Sequence, residues 1–235
     1  MSSRRCSPLS RAFAGAALAL LVSGCGAQVD RSYPGEPLFE LRGQVKNAMT
    51  TTPTTTAHAT LLWHSGGGHD VKMGEYVEVA NTFPSSFTLD VYLPPPSEVL
   101  LDFSGERMAL AFIAATDAAL ENIEYADDKG VLGLAEQYVL VYIEKDLAEG
   151  SRLATLLHSA PKAGYHLYQV VSLTDAEHQA MLDCWDAATT DQERQACGSF
   201  DDRLMPADAA ATISIRLVDD YDDMDVPCLD HMLSD

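Results

Sequence analysis

Five aspartates near the C-terminus form the densest cluster of metal-binding side chains in this sequence. Ca²⁺ takes about six to eight oxygen ligands, and clustered carboxylates attract it. The run lacks the glycine and the bidentate glutamate that an EF-hand loop requires. We therefore predict a solvated acidic tail over residues 219–235 and no cofactor, with weak Ca²⁺ binding as the alternative. The aspartates concerned are Asp219, Asp220, Asp222, Asp223 and Asp225.

A second metal candidate is the run His64-Ser65-Gly66-Gly67-Gly68-His69-Asp70. Two imidazoles and a carboxylate could meet around a metal ion here. A zinc site needs three or four ligands held in position, whereas three glycines leave this loop flexible. We predict a hairpin loop between Trp63 and Val71 with exposed histidines.

Nucleophilic catalysis has no local signature that we could identify. The chain has no Gly-x-Ser-x-Gly elbow, and no motif pairs a cysteine with a histidine. His166 alternates with Tyr168 on a predicted strand, so we expect a partly buried histidine hydrogen-bonded to a tyrosine or to the backbone. We predict no catalytic residue.

The tetrad Val22-Ser23-Gly24-Cys25 closes a segment built like an export signal. Three arginines precede an apolar core, Ala12 to Val22, which as a helix spans about 16 Å, roughly half the hydrocarbon thickness of a bilayer. The tetrad is a lipobox, and by its resemblance to bacterial lipoproteins Cys25 is the first mature residue and carries acyl chains. The resemblance predicts a signal peptide over residues 1–24 and a lipidated tether over residues 25–37.

The charge of the mature chain restricts its partners. Removing the signal leaves 12 basic against 35 acidic residues, a net charge of −23. Such a surface repels phosphate backbones and anionic headgroups, so nucleic acid is excluded and the lipid must supply the membrane attachment. Gly26 after the lipid cysteine is compatible with sorting to the outer membrane.

Three cysteines remain in the mature chain, in an oxidising compartment: Cys184, Cys197 and Cys228. We therefore expect one disulfide and one free thiol. We predict a local Cys184 to Cys197 bridge, worth about 3 kcal/mol by loop entropy. The two pairings that use Cys228 remain alternatives.

Short segments with apolar residues at alternate positions predict strands. Met108 to Ala115 and Tyr138 to Ile143 are apolar at every position, which is typical of central strands buried on both faces. Pro94 to Pro96 should end the fourth strand. The remaining predicted strands are Phe39 to Lys46, Ala59 to Trp63, Tyr76 to Ala80, Phe87 to Leu93, Tyr165 to Leu173 and Thr212 to Leu217.

Thr174-Asp175-Ala176-Glu177 is a capping box, which predicts a helix from Asp175 to about Ala188. A second helix should run from Asp191 to Cys197, so that the disulfide joins a helical hairpin over about residues 174–198. The whole pattern predicts a mainly β protein, an antiparallel β-sandwich over residues 38–235 with this hairpin before the last strand. The body is one domain or two lobes divided near residues 94–106.

Several segments resemble uncharacterised predicted lipoproteins of myxobacteria and related deltaproteobacteria. They include Gly35-Glu36-Pro37-Leu38, Phe83-Pro84-Ser85-Ser86-Phe87 and Gly164-Tyr165-His166-Leu167. Residues 43–93 also resemble transthyretin-like sandwiches of secreted bacterial proteins. These resemblances imply a fold and carry no activity.

The sequence thus predicts a lipid-anchored protein of the bacterial cell envelope, at the outer membrane. We expect a non-enzymatic module that binds another envelope protein or serves as a structural accessory. The alternatives are an envelope hydrolase whose site is assembled from distant residues, and a calcium-dependent adhesion or assembly protein.

Overall fold

The computed structural model describes residues 35–50, 56–65, 70–117, 122–124, 130–190, 193–194, 197, 202–220, 224 and 229. The predicted signal peptide and Cys25 lie outside these residues. From Pro37 onward the chain forms one compact unit, with no division into lobes near residues 94–106.

The secondary structure of the described residues is mainly strand, with two short α-helices and a 3-10 turn at Ser97–Val99. The helices are α1 (Arg152–Leu156) and α2 (Asp175–Ala187). The strands are β1 (Phe39–Asn47), β2 (Ala57–His64), β3 (Asp70–Val79), β4 (Ser85–Val91), β5 (Leu101–Phe103), β6 (Glu106–Thr116), β7 (Asn122–Glu124), β8 (Val131–Ile143), β9 (Gly164–Val171), β10 (Arg203–Pro206) and β11 (Thr212–Leu217).

These strands form two sheets that pack face to face. The small sheet has the order β11-β1-β4, with β1 antiparallel to β4 and parallel to β11. The large sheet has the order β10-β9-β8-β6-β2-β3-β7, with β5 beside β6 and every pairing antiparallel. The predicted β-sandwich is therefore confirmed, and β1 with β11 is its parallel pair.

The small sheet has one apolar and one polar face, as the alternating sequence requires. Leu41 and Val45 of β1 and Ile215 of β11 point into the core, whereas Arg42 and Gln44 are exposed. The burial alternates with a period of two residues because successive side chains of a strand point to opposite faces.

The large sheet is covered on both faces, so it is the middle layer of the unit. One face packs against the small sheet. The other is covered by Leu153 and Leu157, from α1 and the residue after it, and by Leu229. This burial confirms the prediction that β6 and β8 are central strands. Leu229 is 1% exposed, so the prediction of a solvated tail is wrong at that residue.

The two sheets also approach each other closely along β8 and β11. The Val218 N–H donates to the Leu132 carbonyl at 2.9 Å. A Cβ placed on Gly133 would lie 2.1 Å from the Arg216 carbonyl oxygen. Glycine at position 133 is therefore required by backbone contact between the sheets, and not by its own conformation.

Some elements differ from the predicted ones. β10 lies between α2 and β11, so the helical insertion precedes the last two strands of the described chain. α1 and the short strands β5, β7 and β10 were not predicted. They have five residues or fewer, too few to show a periodic pattern.

We expect Gly133→Ala to destabilise the sandwich strongly. The added methyl group would meet backbone atoms of β11, which cannot rotate away, and overpacking of this kind costs about 1–3 kcal/mol or more. Urea unfolding measures the loss. Ser214→Ala, an exposed change on β11, should stay within about 0.5 kcal/mol of the wild type. Equal stability of the two variants would show that the strands can separate without cost.

Candidate functional site

A cleft of about 270 Å³ opens at the end of the sandwich where β1 and β9 begin. Its walls come from three places: the start of β1, the turn after α1 together with β9, and the segment after β10. They carry aromatic rings, prolines and alanines with few polar groups. The lining residues are Phe39, Ser159, Ala160, Pro161, Tyr165, His166, Leu167, Tyr168, Pro206, Ala207 and Ala209.

Tyr165 joins the cleft to the core between the two sheets. Its ring lies 6.2 Å from that of Phe39, 6.2 Å from that of Trp63 and 5.0 Å from that of Tyr142, measured between centroids. The phenol donates to the Leu93 carbonyl at 2.6 Å. Burial raises the pKa of Tyr165 far above its usual range, with the negative charge of Glu75 acting in the same direction. Tyr165 therefore stays protonated and fixes the segment after β4.

Two hydroxyl groups meet at the wall of the cleft. The Ser159 Oγ and Tyr168 Oη atoms are 2.7 Å apart, and Ser159 also donates to the Leu157 carbonyl at 3.1 Å. Because the serine proton is engaged there, the tyrosine is the donor between the two. Burial raises the pKa of Tyr168, and the bond to Ser159 opposes that rise only partly. This pair is a satisfied structural contact and not an activated nucleophile.

His166 lines the same cleft and hydrogen bonds to the backbone. Its Nε2 atom is 2.7 Å from the Lys162 carbonyl oxygen. The ring nitrogen donates in this contact, because a carbonyl oxygen can only accept. The predicted backbone partner is therefore confirmed.

One pattern was missed in the sequence. Ser159-Ala160-Pro161-Lys162 matches the Ser-x-x-Lys spacing of serine β-lactamases. The chemistry requires the lysine amine near the serine hydroxyl, whereas Lys162 is 83% exposed and its Nζ lies 3.0 Å from Asp146 Oδ2. Pro161 leaves the segment outside any helix, so the two side chains do not act together.

The predicted metal ligands are either engaged in other contacts or lie outside the described residues. Asp219 Oδ2 accepts from the Thr50 N–H at 2.8 Å, so this carboxylate is engaged with the backbone. Asp222, Asp223 and Asp225 lie outside the described residues, as does His69. The predicted hairpin is confirmed, because His64 at the end of β2 pairs with Val71. His64 itself is half-buried on the strand, so the prediction of an exposed histidine is wrong there. Across the described ranges, no three His, Cys, Asp or Glu side chains are grouped as metal ligands.

The helical insertion forms a distinct element, which we call the arm: residues 174–197, comprising α2 and the disulfide that ends it. The predicted capping box is present, since Glu177 N–H donates to the Thr174 hydroxyl and Glu177 Oε2 accepts from the Thr174 N–H. The Cys184 to Cys197 disulfide is present too, with a Cα separation of 5.8 Å. Asp191 and several other positions of the predicted second helix lie outside the described residues.

The described residues at the start of the predicted second helix form a cap as well. Glu193 N–H donates to the Thr190 hydroxyl, and Glu193 Oε2 accepts from the Thr189 and Thr190 N–H groups. These bonds lower the pKa of Glu193. Glu193 and Arg194 have helical conformation. The two capped turns and the disulfide are all contacts between residues close together in sequence. They stabilise the arm locally.

The arm packs little against the body. No residue of α2 is buried, and Leu182 and Trp185 are each 39% exposed. Three residues apart, they lie on one face of the helix. An ion pair between Glu177 and Arg203, 3.1 Å apart, links the first turn of α2 to the start of β10. The ion pair thus joins the base of the arm to the body, and Leu182 and Trp185 are partly exposed on one face of α2.

Comparison of the chain with protein-family models, with curated proteins and with solved structures produced no match. Neither α1 nor α2, the helices of the described chain, has the length and hydrophobicity of a membrane-spanning helix.

We expect Tyr168→Phe to lower the free energy of unfolding by about 1 kcal/mol, because Ser159 loses its hydrogen-bond donor in a part-buried contact. Chemical denaturation measures this. Combined with Ser159→Ala in a double-mutant cycle, the two changes should be coupled. Tyr76→Phe, at an exposed ring, is the control. Additive effects of the two variants would show that the hydroxyl contact does not stabilise the protein.

We expect α2 to lose stability in acid. The backbone N–H of Thr174, then its hydroxyl, then the charge of Arg203 lower the pKa of Glu177 from its ordinary value of 4.5. A lowered carboxyl pKa stabilises the folded state fully above the ordinary value, and that contribution disappears as the pH falls through the folded value.

Hydrogen exchange of the first-turn amides of α2 should therefore accelerate below about pH 4.5 relative to the intrinsic rate. Glu177→Gln should remove most of this pH dependence, whereas Glu149→Gln, in an exposed turn outside the arm, should not. Identical profiles for the wild type and Glu177→Gln would contradict the assignment.

Proposed function

We propose that this protein is an acylated lipoprotein of the bacterial cell envelope, at the outer membrane, and that its arm binds another envelope protein. The lipobox ending at Cys25 supports the anchor. The acidic composition supports a protein partner over nucleic acid, because phosphate backbones are repelled. The body is a β-sandwich that holds the arm in place.

The observation that carries the proposal is that α2 is stabilised without burying any residue. A helix of 13 residues is marginal in water on its own, and most protein helices are stabilised by packing. Here the capping box and the disulfide stabilise the helix from within the arm. A helix kept folded while Leu182 and Trp185 stay exposed is suited to insert those side chains into a partner, and tryptophan is enriched among the residues that dominate binding energy.

The charges of α2 indicate the chemistry of the partner. The helix has no lysine or arginine, and its last turn has no basic residue, so Asp183 and Asp186 lie where the helix dipole disfavours carboxylates. A cationic surface would relieve this unfavourable interaction. The partner surface should therefore combine an apolar pocket with surrounding lysine or arginine side chains.

The cleft supports a binding role over a hydrolytic one. Its hydroxyl groups and its histidine are hydrogen-bonded to one another or to the backbone, and Lys162 pairs with Asp146 outside it. None of these contacts supplies a base to a serine nucleophile, which acyl transfer requires.

The anchor is tested by mass spectrometry of the mature N-terminal peptide. We expect Cys25 with a diacylglyceryl group and an acylated amine, and loss of membrane fractionation in Cys25→Ser. A free amino terminus at Cys25 or a neighbouring residue, or retention of Met1, would overturn the lipoprotein assignment.

The arm is tested by placing a photo-crosslinking residue at the exposed position 186, beside Trp185, in intact cells and then purifying the protein captured. We expect that protein to bind the full chain directly, with an affinity that falls at least about tenfold in Trp185→Ala and falls with added salt. Tyr76→Ala, which removes a more exposed aromatic ring outside the arm, should leave the affinity unchanged. Binding that is insensitive to Trp185→Ala would overturn the proposal.

A further inference from the structure

The most exposed large apolar side chains of the described residues are two leucines at one end of the sandwich. Leu93 is 68% exposed and Leu38 is 55% exposed. Isolated surface leucines are ordinary. This pair differs because both leucines lie at the same end of the fold, and because that end follows the predicted tether.

The two leucines flank neighbouring strands at the cleft end, Leu38 just before β1 and Leu93 just after β4. The Leu38 N–H donates to the Val91 carbonyl at 2.7 Å, two residues before Leu93. The Leu93 carbonyl accepts from Tyr165, whose ring contacts Phe39. The buried tyrosine therefore fixes the backbone under both leucines.

The same end receives the predicted tether. Leu38 follows Cys25 by 13 residues, which span at most about 45 Å when fully extended. An acyl group on Cys25 thus keeps Leu38 within about 45 Å of the anchor. Leu38 is the exposed apolar residue of the body that lies nearest to this anchor along the chain.

The charge near this end favours a zwitterionic lipid surface. Arg42 pairs with Glu40 and Lys162 with Asp146. Besides these ion pairs, Glu36 is an exposed carboxylate two residues before Leu38, and the mature chain carries a net charge of −23. The partner surface that suits this end is therefore a zwitterionic bilayer, and anionic lipid should weaken the contact.

The arm leaves the body from the other end of the same strand. β9 begins at Gly164 beside the cleft and ends at Val171, which pairs with Arg203 at the base of the arm. Tyr165 and Val171 are separated by about 20 Å along an extended strand. A bilayer at the leucine end leaves the base of the arm on the aqueous side.

We propose that the end of the sandwich carrying Leu38 and Leu93 rests on the lipid bilayer, both leucines entering its interface, with the arm directed away. This inference rests on the proposed lipid anchor. It assigns the leucine pair as a membrane-contact surface and fixes the orientation of the body.

The test uses the full acylated chain in zwitterionic phosphatidylcholine vesicles. A fluorescent label is attached to Leu93→Cys or, as a matched leucine on the arm, to Leu182→Cys, both in a Cys228→Ser background. We expect lipids with a quencher in the upper acyl chain to quench the label at position 93 at least about twofold more than at position 182, since interfacial groups insert about 5–10 Å. Adding Leu38→Ser or anionic lipid should reduce that quenching.

Flotation of the same vesicles separates the two proposals. A chain that fails to float overturns the anchor and this inference with it. A chain that floats but shows equal quenching at both positions overturns the orientation alone. Protection of position 93 from aqueous iodide without quenching by lipid would show that a protein or a second copy covers the leucines, and would also overturn the inference.

Discussion

Burial of the large sheet on both faces is the constraint on which the rest of this structure depends. β6 and β8 must be apolar at nearly every position, because one face meets the small sheet and the other meets α1 and Leu229. Small side chains on the inner face, such as Ala109 and Ala111, let the small sheet approach closely. The same closeness requires glycine at position 133, where β8 meets the backbone of β11. The position of β11 relative to β8, and through β11 that of β1, follows from this packing.

The parts of the fold that local patterns determine were predictable from the sequence. Alternation predicted β1 and β11, and continuous apolar runs predicted β6 and β8. The arm was predictable because its capping box and its disulfide involve residues close together in sequence. The short strands were not predictable, because they form by pairing with a longer neighbour. β10, for example, is ordered by its register with β9.

The cleft could not be predicted, because no local pattern describes it. Phe39, Tyr165 and Pro206 come from three distant segments, and only the register of the sheets brings them together. The hydroxyl pair depends on a turn after α1, a helix too short to show a period. Conversely, the Ser-x-x-Lys spacing was visible in the sequence, and the fold separates its two side chains. Spacing alone predicts chemistry only where a regular element holds the residues on one face.

The body has two chemically different ends, and β9 connects them. At its first residues the strand contributes Tyr165, whose buried phenol holds the segment carrying Leu93. At its last residue it pairs with Arg203, which forms an ion pair with the first turn of the arm. The middle of β9 is packed on both faces through Leu167 and Tyr168, so the strand cannot bend independently of the large sheet. The distance between the two ends is therefore set by the length of the strand.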